Sequence, residues 1–346
     1  MSVFSKVRNF VSRHRGKFIV GSILITSSIF LTRYAQQKLK DWQEKEMLEF
    51  LERTRKQQHF ENIGRTCNQT TMNLASSLVE TLSRVINTDK TIAELQANTS
   101  NKVIVWETLK IQLFSKLCCL IYAMSMLVII LRIQLSIIGG YLYKDPSSIP
   151  VDVQEKYLSL TQNLMNDGLN KMFSKISIVC ENIIGKIDLK KSMRLCDIDA
   201  VFWSLQTAIG DGEDNPIENF KAYLALNTED DFKSKDIYTL LVRDTVDLLE
   251  SDEVKFLTTQ CINRGFTQLA DQLSEFFISN GVSLKQGPSS SKDHPEDFIL
   301  KKPLAKLLPI INGTLSKNAF PEKFIQQLVS NERIHIFGAN IYESLL

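Results

Sequence analysis

The chain has 346 residues, of which 44% are hydrophobic and 23% charged. That is the balance of an ordinary globular protein, with enough chain for one large domain or two small ones. The formal net charge of +2 makes no global case for a nucleic-acid partner.

The N-terminus is the most unusual stretch. Residues 1–17 carry Lys6, Arg8, Arg13, Arg15 and Lys17. Phe18-Ile-Val-Gly-Ser-Ile-Leu-Ile-Thr-Ser-Ser-Ile-Phe-Leu-Thr32 holds no charge, and Arg33, Lys38 and Lys40 follow. A charge-free apolar helix is stable in a bilayer because its backbone polar groups pair internally. At ~1.5 Å per residue this segment spans roughly 22 Å of a ~30 Å hydrocarbon core. Lys17 and Arg33 can lengthen it by snorkelling. A cleaved signal peptide is the competing reading. Against it, Leu31-Thr-Arg-Tyr-Ala35 puts a charge and an aromatic where small residues are needed. The expected organisation is therefore a basic segment at 1–17, a membrane anchor at 18–33, and one large all-helical domain at 34–346. Basic residues on both flanks leave the anchor unoriented by charge.

Gly (14) and Pro (8) are scarce, and helical spacing recurs nearly everywhere downstream. Residues 36–59 form a charged helix with a narrow stripe of Leu39, Trp42, Met47, Leu48 and Leu51. Leu74, Leu78, Leu82, Val85 and Ile86 make a second stripe, broken by Asn87-Thr-Asp-Lys90, and a short helical piece begins at Thr91. The next element is long, from about residue 101 to 143. Within it, residues 117–131 hold no charge and rival the first apolar segment as a span. Gln112, Ser115, Ser125, Arg132 and Gln134 intrude, and the apolar period continues on both sides. The reading taken is the central helix of a bundle. Gly139-Gly140 would let aromatic neighbours or another backbone approach closely.

Residues 145–150 read as a loop, 151–187 as one helix or two, and 195–209 as a helix holding Trp203. The acidic loop 210–216 lacks calcium-ligand spacing. Residues 237–249 and 254–278 are strongly amphipathic, and 286–298 form a polar loop. Pro309 should end or kink a helix within 304–311, and 324–328 and 334–345 give the last turns.

Signals for chemistry are weak. The histidines, His14, His59, His294 and His335, show no metal-ligand spacing, and no nucleophile-elbow or phosphate-loop motif is present. No cysteine pair forms C-x-x-C among Cys67, Cys118, Cys119, Cys180, Cys196 and Cys261, which suits a reducing compartment. No cofactor, metal or small-molecule substrate is expected. Trp106, between Lys102 and Lys110 at the start of the long helix, has two readings. One is an ordinary core residue. The other is a lysine-rimmed anchor for an amphipathic partner helix with acidic flanks.

Several segments carry a family resemblance. They are His59-Phe-Glu-Asn-Ile-Gly-Arg-Thr-Cys-Asn68, Ser100-Asn-Lys-Val-Ile-Val-Trp-Glu-Thr-Leu-Lys110, Leu131-Arg-Ile-Gln-Leu-Ser-Ile-Ile-Gly-Gly-Tyr141, Asp152-Val-Gln-Glu-Lys-Tyr-Leu158, Asn263-Arg-Gly-Phe266 and Pro303-Leu-Ala-Lys-Leu-Leu-Pro309. In this order, behind a basic-flanked anchor, they resemble the peroxin-3 family over nearly the whole chain. Residues 189–226 match no family segment individually. The resemblance implies a single-pass peroxisomal membrane protein with a cytosolic helical bundle and no enzymatic activity. It implies docking of peroxin-19, the carrier of new peroxisomal membrane proteins, through one amphipathic helix laid in a groove at the membrane-distal end. Trp106, Lys102 and Lys306 match groove residues, and Leu95 falls at a groove leucine. Arg8, Arg13, Arg15 and Lys17, with the anchor, match the targeting segment that meets peroxisomal membrane lipid. A membrane-tethered scaffold or an enzyme with an unrecognised site is the alternative.

Overall fold

A computed structural model describes residues 15–97, 101–226, 236–277, 301–315 and 319–346, with side chains from residue 33 onward. Its contacts separate two units, Met1–His59 and Phe60–Leu346. Helix α1 (Arg15–Val85) begins in the first and continues into the second. Residues 1–14 lie outside the described residues, and so do the expected basic side chains Arg8 and Arg13. The side chains of Arg15, Lys17 and the apolar segment that follows are likewise outside the description.

In the first unit the expected stripe is present and uncovered. Leu39, Trp42, Met47, Leu48 and Leu51 are all exposed, as are Tyr34 and Phe50.

The second unit is a helical bundle. From Phe60 onward α1 buries Cys67, Thr71, Ala75, Leu78 and Leu82, the three-or-four spacing of one helix face. Asn87 then starts α2 (Thr88–Gln96) by accepting a hydrogen bond from the Lys90 amide at 3.0 Å, which satisfies an otherwise orphaned donor. Helix α3 (Lys102–Lys144) is the centre: every residue from 113 to 134 is buried. Short helices α4 (Val151–Leu158) and α5 (Leu160–Asn163) lead through a π turn, Leu164–Gly168, into α6 (Leu169–Ile184). Then come α7 (Leu195–Gly210), α8 (Phe220–Tyr223), α9 (Ile237–Glu250), α10 (Asp252–Ser274), α11 (Leu304–Thr314), α12 (Phe320–Val329) and α13 (Glu332–Ser344). Helices α2, α6 and α9 to α13 all pack on α3.

Helix α3 is long and apolar enough to cross a membrane, yet its most apolar stretch is wholly covered by protein. Several of its polar intrusions have internal partners, though the Ser115 hydroxyl is buried without one. Gln134 donates to the Tyr157 carbonyl at 2.6 Å and accepts from Thr161 at 2.6 Å. Arg132 donates to Asn68 at 2.7 Å, and Ser125 to the Ile121 carbonyl at 2.8 Å. Pairing of this kind offsets the cost of burying a polar group.

Three details differ from the sequence reading. Residues 151–187 break into more pieces than one helix or two, around the π turn. Helix α11 continues through Pro309, which is exposed, so water can solvate the carbonyl that loses its partner. A two-residue antiparallel pair, β1 (Ser192–Met193) with β2 (Lys302–Pro303), is too short for any pattern to announce. At Gly140 a Cβ would lie 3.3 Å from the Tyr342 carbonyl and 2.9 Å from the Leu345 Cβ, the close backbone approach expected of that pair.

Gly265, inside α10, is as tightly enclosed. A Cβ there would meet Ile121 of α3 at 2.7 Å and Phe324 of α12 at 2.8 Å. Gly265→Val should destabilise the bundle by about 1–3 kcal/mol through overpacking, read by urea denaturation. Unchanged stability would mean that α10 does not sit this close to α3.

Candidate partner-binding site

The end of the bundle where α3 begins is held by three neighbours. Helices α2 and α3 run antiparallel, because Thr88 meets Lys116 at 3.5 Å and Thr91 donates to Gln112 at 2.8 Å. Continued, that register sets Leu95 about level with Thr108, within a turn of Trp106. Leu95 and Trp106 are both half-buried and rest on the same core cluster.

The other neighbours are tied in through Lys110. Its ammonium donates to the Ile187 carbonyl at 2.6 Å and pairs with Glu107. Two residues on, the Leu189 carbonyl accepts from the Ala305 amide at 2.9 Å, and the Lys191 carbonyl from Leu304 at 3.0 Å. The backbone of 302–305, and so the exposed Lys306 beside it, is thereby fixed to the start of α3. All four sequence-identified residues, Trp106, Lys102, Leu95 and Lys306, lie at this one end.

Lys110 corrects the expectation of an aromatic rimmed by two lysines. It is fully buried and acts as an internal strut. Lys102 is exposed. Sequence reasoning also missed Val103 and Ile104, which are 70% and 63% exposed in the first turn of α3. Their signal was present: the apolar period runs to the helix start, but periodicity does not reveal where the covering helices stop. The result is a half-covered indole beside an uncovered β-branched pair, with Lys102 at the amide-rich end of a helix, where partial positive charge collects. Such a surface can take an apolar side chain at its centre and acidic groups at its edge.

Among the described residues no group of three or more His, Cys, Asp or Glu side chains is placed to hold a metal ion. His335 stacks edge-on against Phe60 at 5.1 Å, a packing role. Burial and the charge of Arg55 lower the His59 imidazole's affinity for a proton. Five cysteines are buried and Cys196 is exposed. A cleft of about 460 Å³ contains Thr88, Asp89, Lys116 and Asn312. Burial lowers the Lys116 amine below its usual range, opposed in part by Asp89.

The fold is thus a helical bundle built round one enclosed apolar helix, with a partly uncovered aromatic end. A sequence model of Peroxin-3 matches residues 9–104, 97–145 and 142–344. Peroxisomal biogenesis factor 3 of Rattus norvegicus is 33% identical over 361 residues, covering 97% of this chain and 96% of the relative. The Homo sapiens protein of that name is 32% identical, covering 98% and 96%. Peroxisome biogenesis protein 3-1 of Arabidopsis thaliana is 22% identical, covering 98% and 99%. The chain belongs to the peroxin-3 family, which supports a role in peroxisome biogenesis. That family is one of biogenesis factors and not a known family of enzymes. The match also runs through residues 189–226, where no single segment carried the resemblance.

Lys116 supplies a test of the bundle's electrostatics. Its folded pKa lies below its unfolded one, so folding disfavours the charge. That penalty is fully present below the folded pKa and fades as pH rises through it toward 10.5. Lys116→Met should leave stability equal or higher at pH 7, with the gain shrinking toward pH 10 in thermal melts. A variant that is less stable at pH 7 would show the ammonium to be a net stabiliser.

Proposed function

We propose that this chain is a docking receptor of the peroxisomal membrane for peroxin-19 carrying newly made membrane proteins, and that it has no enzymatic activity. Residues 18–33 anchor it as a single span. Arg8, Arg13, Arg15 and Lys17 direct and hold that segment at the lipid surface. The helical domain stands in the cytosol and receives one amphipathic helix from the peroxin-19 N-terminus. What supports this reading is the end of α3: Trp106 is half-covered beside the exposed Val103 and Ile104, and Leu95, Lys102 and Lys306 are held at the same end. The reading of residues 117–131 as a second span has no support, since protein already covers them on every side.

Recognition is helix-in-groove. A partner's apolar side chain completes the burial of the Trp106 indole, which at an interface centre contributes about 2–4 kcal/mol when truncation is the measure. Lys102 and Lys306 act mainly on the association rate and on the partner's orientation. The Lys102 site adds the positive end of α3, so an acidic flank on the incoming helix would be drawn there.

Trp106→Ala should weaken binding of a peroxin-19 N-terminal peptide at least tenfold, measured by isothermal titration, while helicity and melting stay unchanged. Lys102→Ala with Lys306→Ala should lower the association rate and flatten its salt dependence. A folded Trp106→Ala variant with wild-type affinity would remove the site from consideration. Loss of folding would return Trp106 to the core.

A further inference from the structure

The most exposed tryptophan in the bundle is Trp203, at 68%. It lies on α7 in a cleft of about 280 Å³ against α10. The floor is aromatic: Phe202 and Phe266 are buried, with ring centroids 5.7 Å apart. The walls are two helical rows. On α7, Asp199, Trp203 and Gln206 follow i, i+4, i+7 spacing, and on α10, Thr267 and Asp271 stand one turn apart. Phe202 meets Phe266 and Asp199 feels the charge of Asp271, so the two helices run antiparallel and the two carboxylates sit together within a turn of the indole. No Lys or Arg among the described residues is ion-paired with either carboxylate. They oppose one another instead: burial, and then the charge of Asp271, hold the Asp199 carboxyl above its usual range.

An exposed indole beside a pair of uncompensated carboxylates specifies a planar cation. A guanidinium stacks on an aromatic face and has several in-plane donors to offer neighbouring carboxylates. An ammonium, as a compact point charge, satisfies one of these partners less well. Thr267 and Gln206 add neutral hydrogen-bonding groups at the edge, and Ala270 leaves room for the chain carrying the cation. The cleft includes none of Trp106, Lys102, Leu95 or Lys306. Its charge is opposite to that of the α3 end, so the two surfaces select partners of different character.

We propose that the α7–α10 cleft is a second docking site, taking an arginine-bearing basic peptide segment of another protein. The guanidinium lies over Trp203 and donates to the adjacent Asp199 and Asp271, and an apolar neighbour in the peptide covers the exposed edge of the ring. Occupation neutralises the carboxylate pair and removes the exposed Trp203 ring from water.

The test uses the full chain in nonionic detergent micelles and a fluorescein-labelled peptide of four Arg-Leu-Gly repeats, read by anisotropy. A second peptide has citrulline at each arginine, which keeps the shape and removes the charge. The arginine peptide should bind, and the citrulline peptide at least about tenfold more weakly. Trp203→Ala, and separately the isosteric pair Asp199→Asn with Asp271→Asn, should each cost about tenfold, with the far-ultraviolet spectrum unchanged. Trp106→Ala should leave this binding untouched, so failure here and failure of the peroxin-19 site are separately visible. Equal binding of both peptides, or wild-type affinity in the folded asparagine pair, overturns the proposal. So does a result in which Trp203→Ala abolishes only self-association in sedimentation, or only binding to phosphatidylcholine vesicles. Those outcomes would assign the cleft to a second copy or to lipid.

Discussion

Enclosure of one helix with a charge-free middle, residues 117–131, governs this bundle. Each large apolar side chain of α3 gains about 1.5–3 kcal/mol by leaving water, and residues 117–131 are buried all round. A helix apolar on every side needs cover on every side. Helices from both halves of the second unit supply it: the later turns of α1, with α2 and α6, and then α9 to α13. The close contacts at Gly140 and Gly265 follow from the same demand, since cover this complete brings backbones within reach of α3. Two of the largest polar residues that interrupt the helix are paired from within, Gln134 by Tyr157 and Thr161 and the Arg132 Nη2 by Asn68, while the Ser115 hydroxyl and the Arg132 Nε are buried without a hydrogen-bond partner.

Cover that complete has an end, and the candidate site is where it stops. Toward its N-terminus α3 outruns its neighbours, so Trp106 is only half-covered and Val103 and Ile104 face water. The buried Lys110 stiffens this edge. By holding the Ile187 carbonyl it ties α3 to the segment that hydrogen-bonds residues 304 and 305. A surface whose backbone is fixed in this way can receive a partner with little rearrangement, which lowers the entropic cost of binding.

Much of the bundle was legible in the sequence because apolar period and helix ends are local signals. The span of α3 was readable to within a residue, and its role as core rather than membrane span followed from Gln112, Arg132 and Gln134, all of which have internal partners. What failed depended on three-dimensional context. Pro309 sits where its missing hydrogen bond is open to solvent, so the helix continues. Lys110 looks like a surface lysine by spacing but meets carbonyls contributed by a distant loop. The exposure of Val103 and Ile104 depends on where other helices end. The α7–α10 cleft was invisible because Asp199 and Asp271 become neighbours only when those helices pack. Selection of the four candidate residues came from family motifs; the register of α2 against α3 sets Leu95 beside Trp106, and the backbone bonds of residues 189 and 191 to 304 and 305 bring Lys306 to the same end.

If the proposed visiting helix covers the open start of α3, amide hydrogen exchange on the full chain, with and without a peroxin-19 N-terminal peptide, will show it. New protection should concentrate in residues 88–110 and 301–308, with the middle of α3 already protected in the free protein. Protection confined to other helices, or none at saturating peptide, would contradict docking at this end.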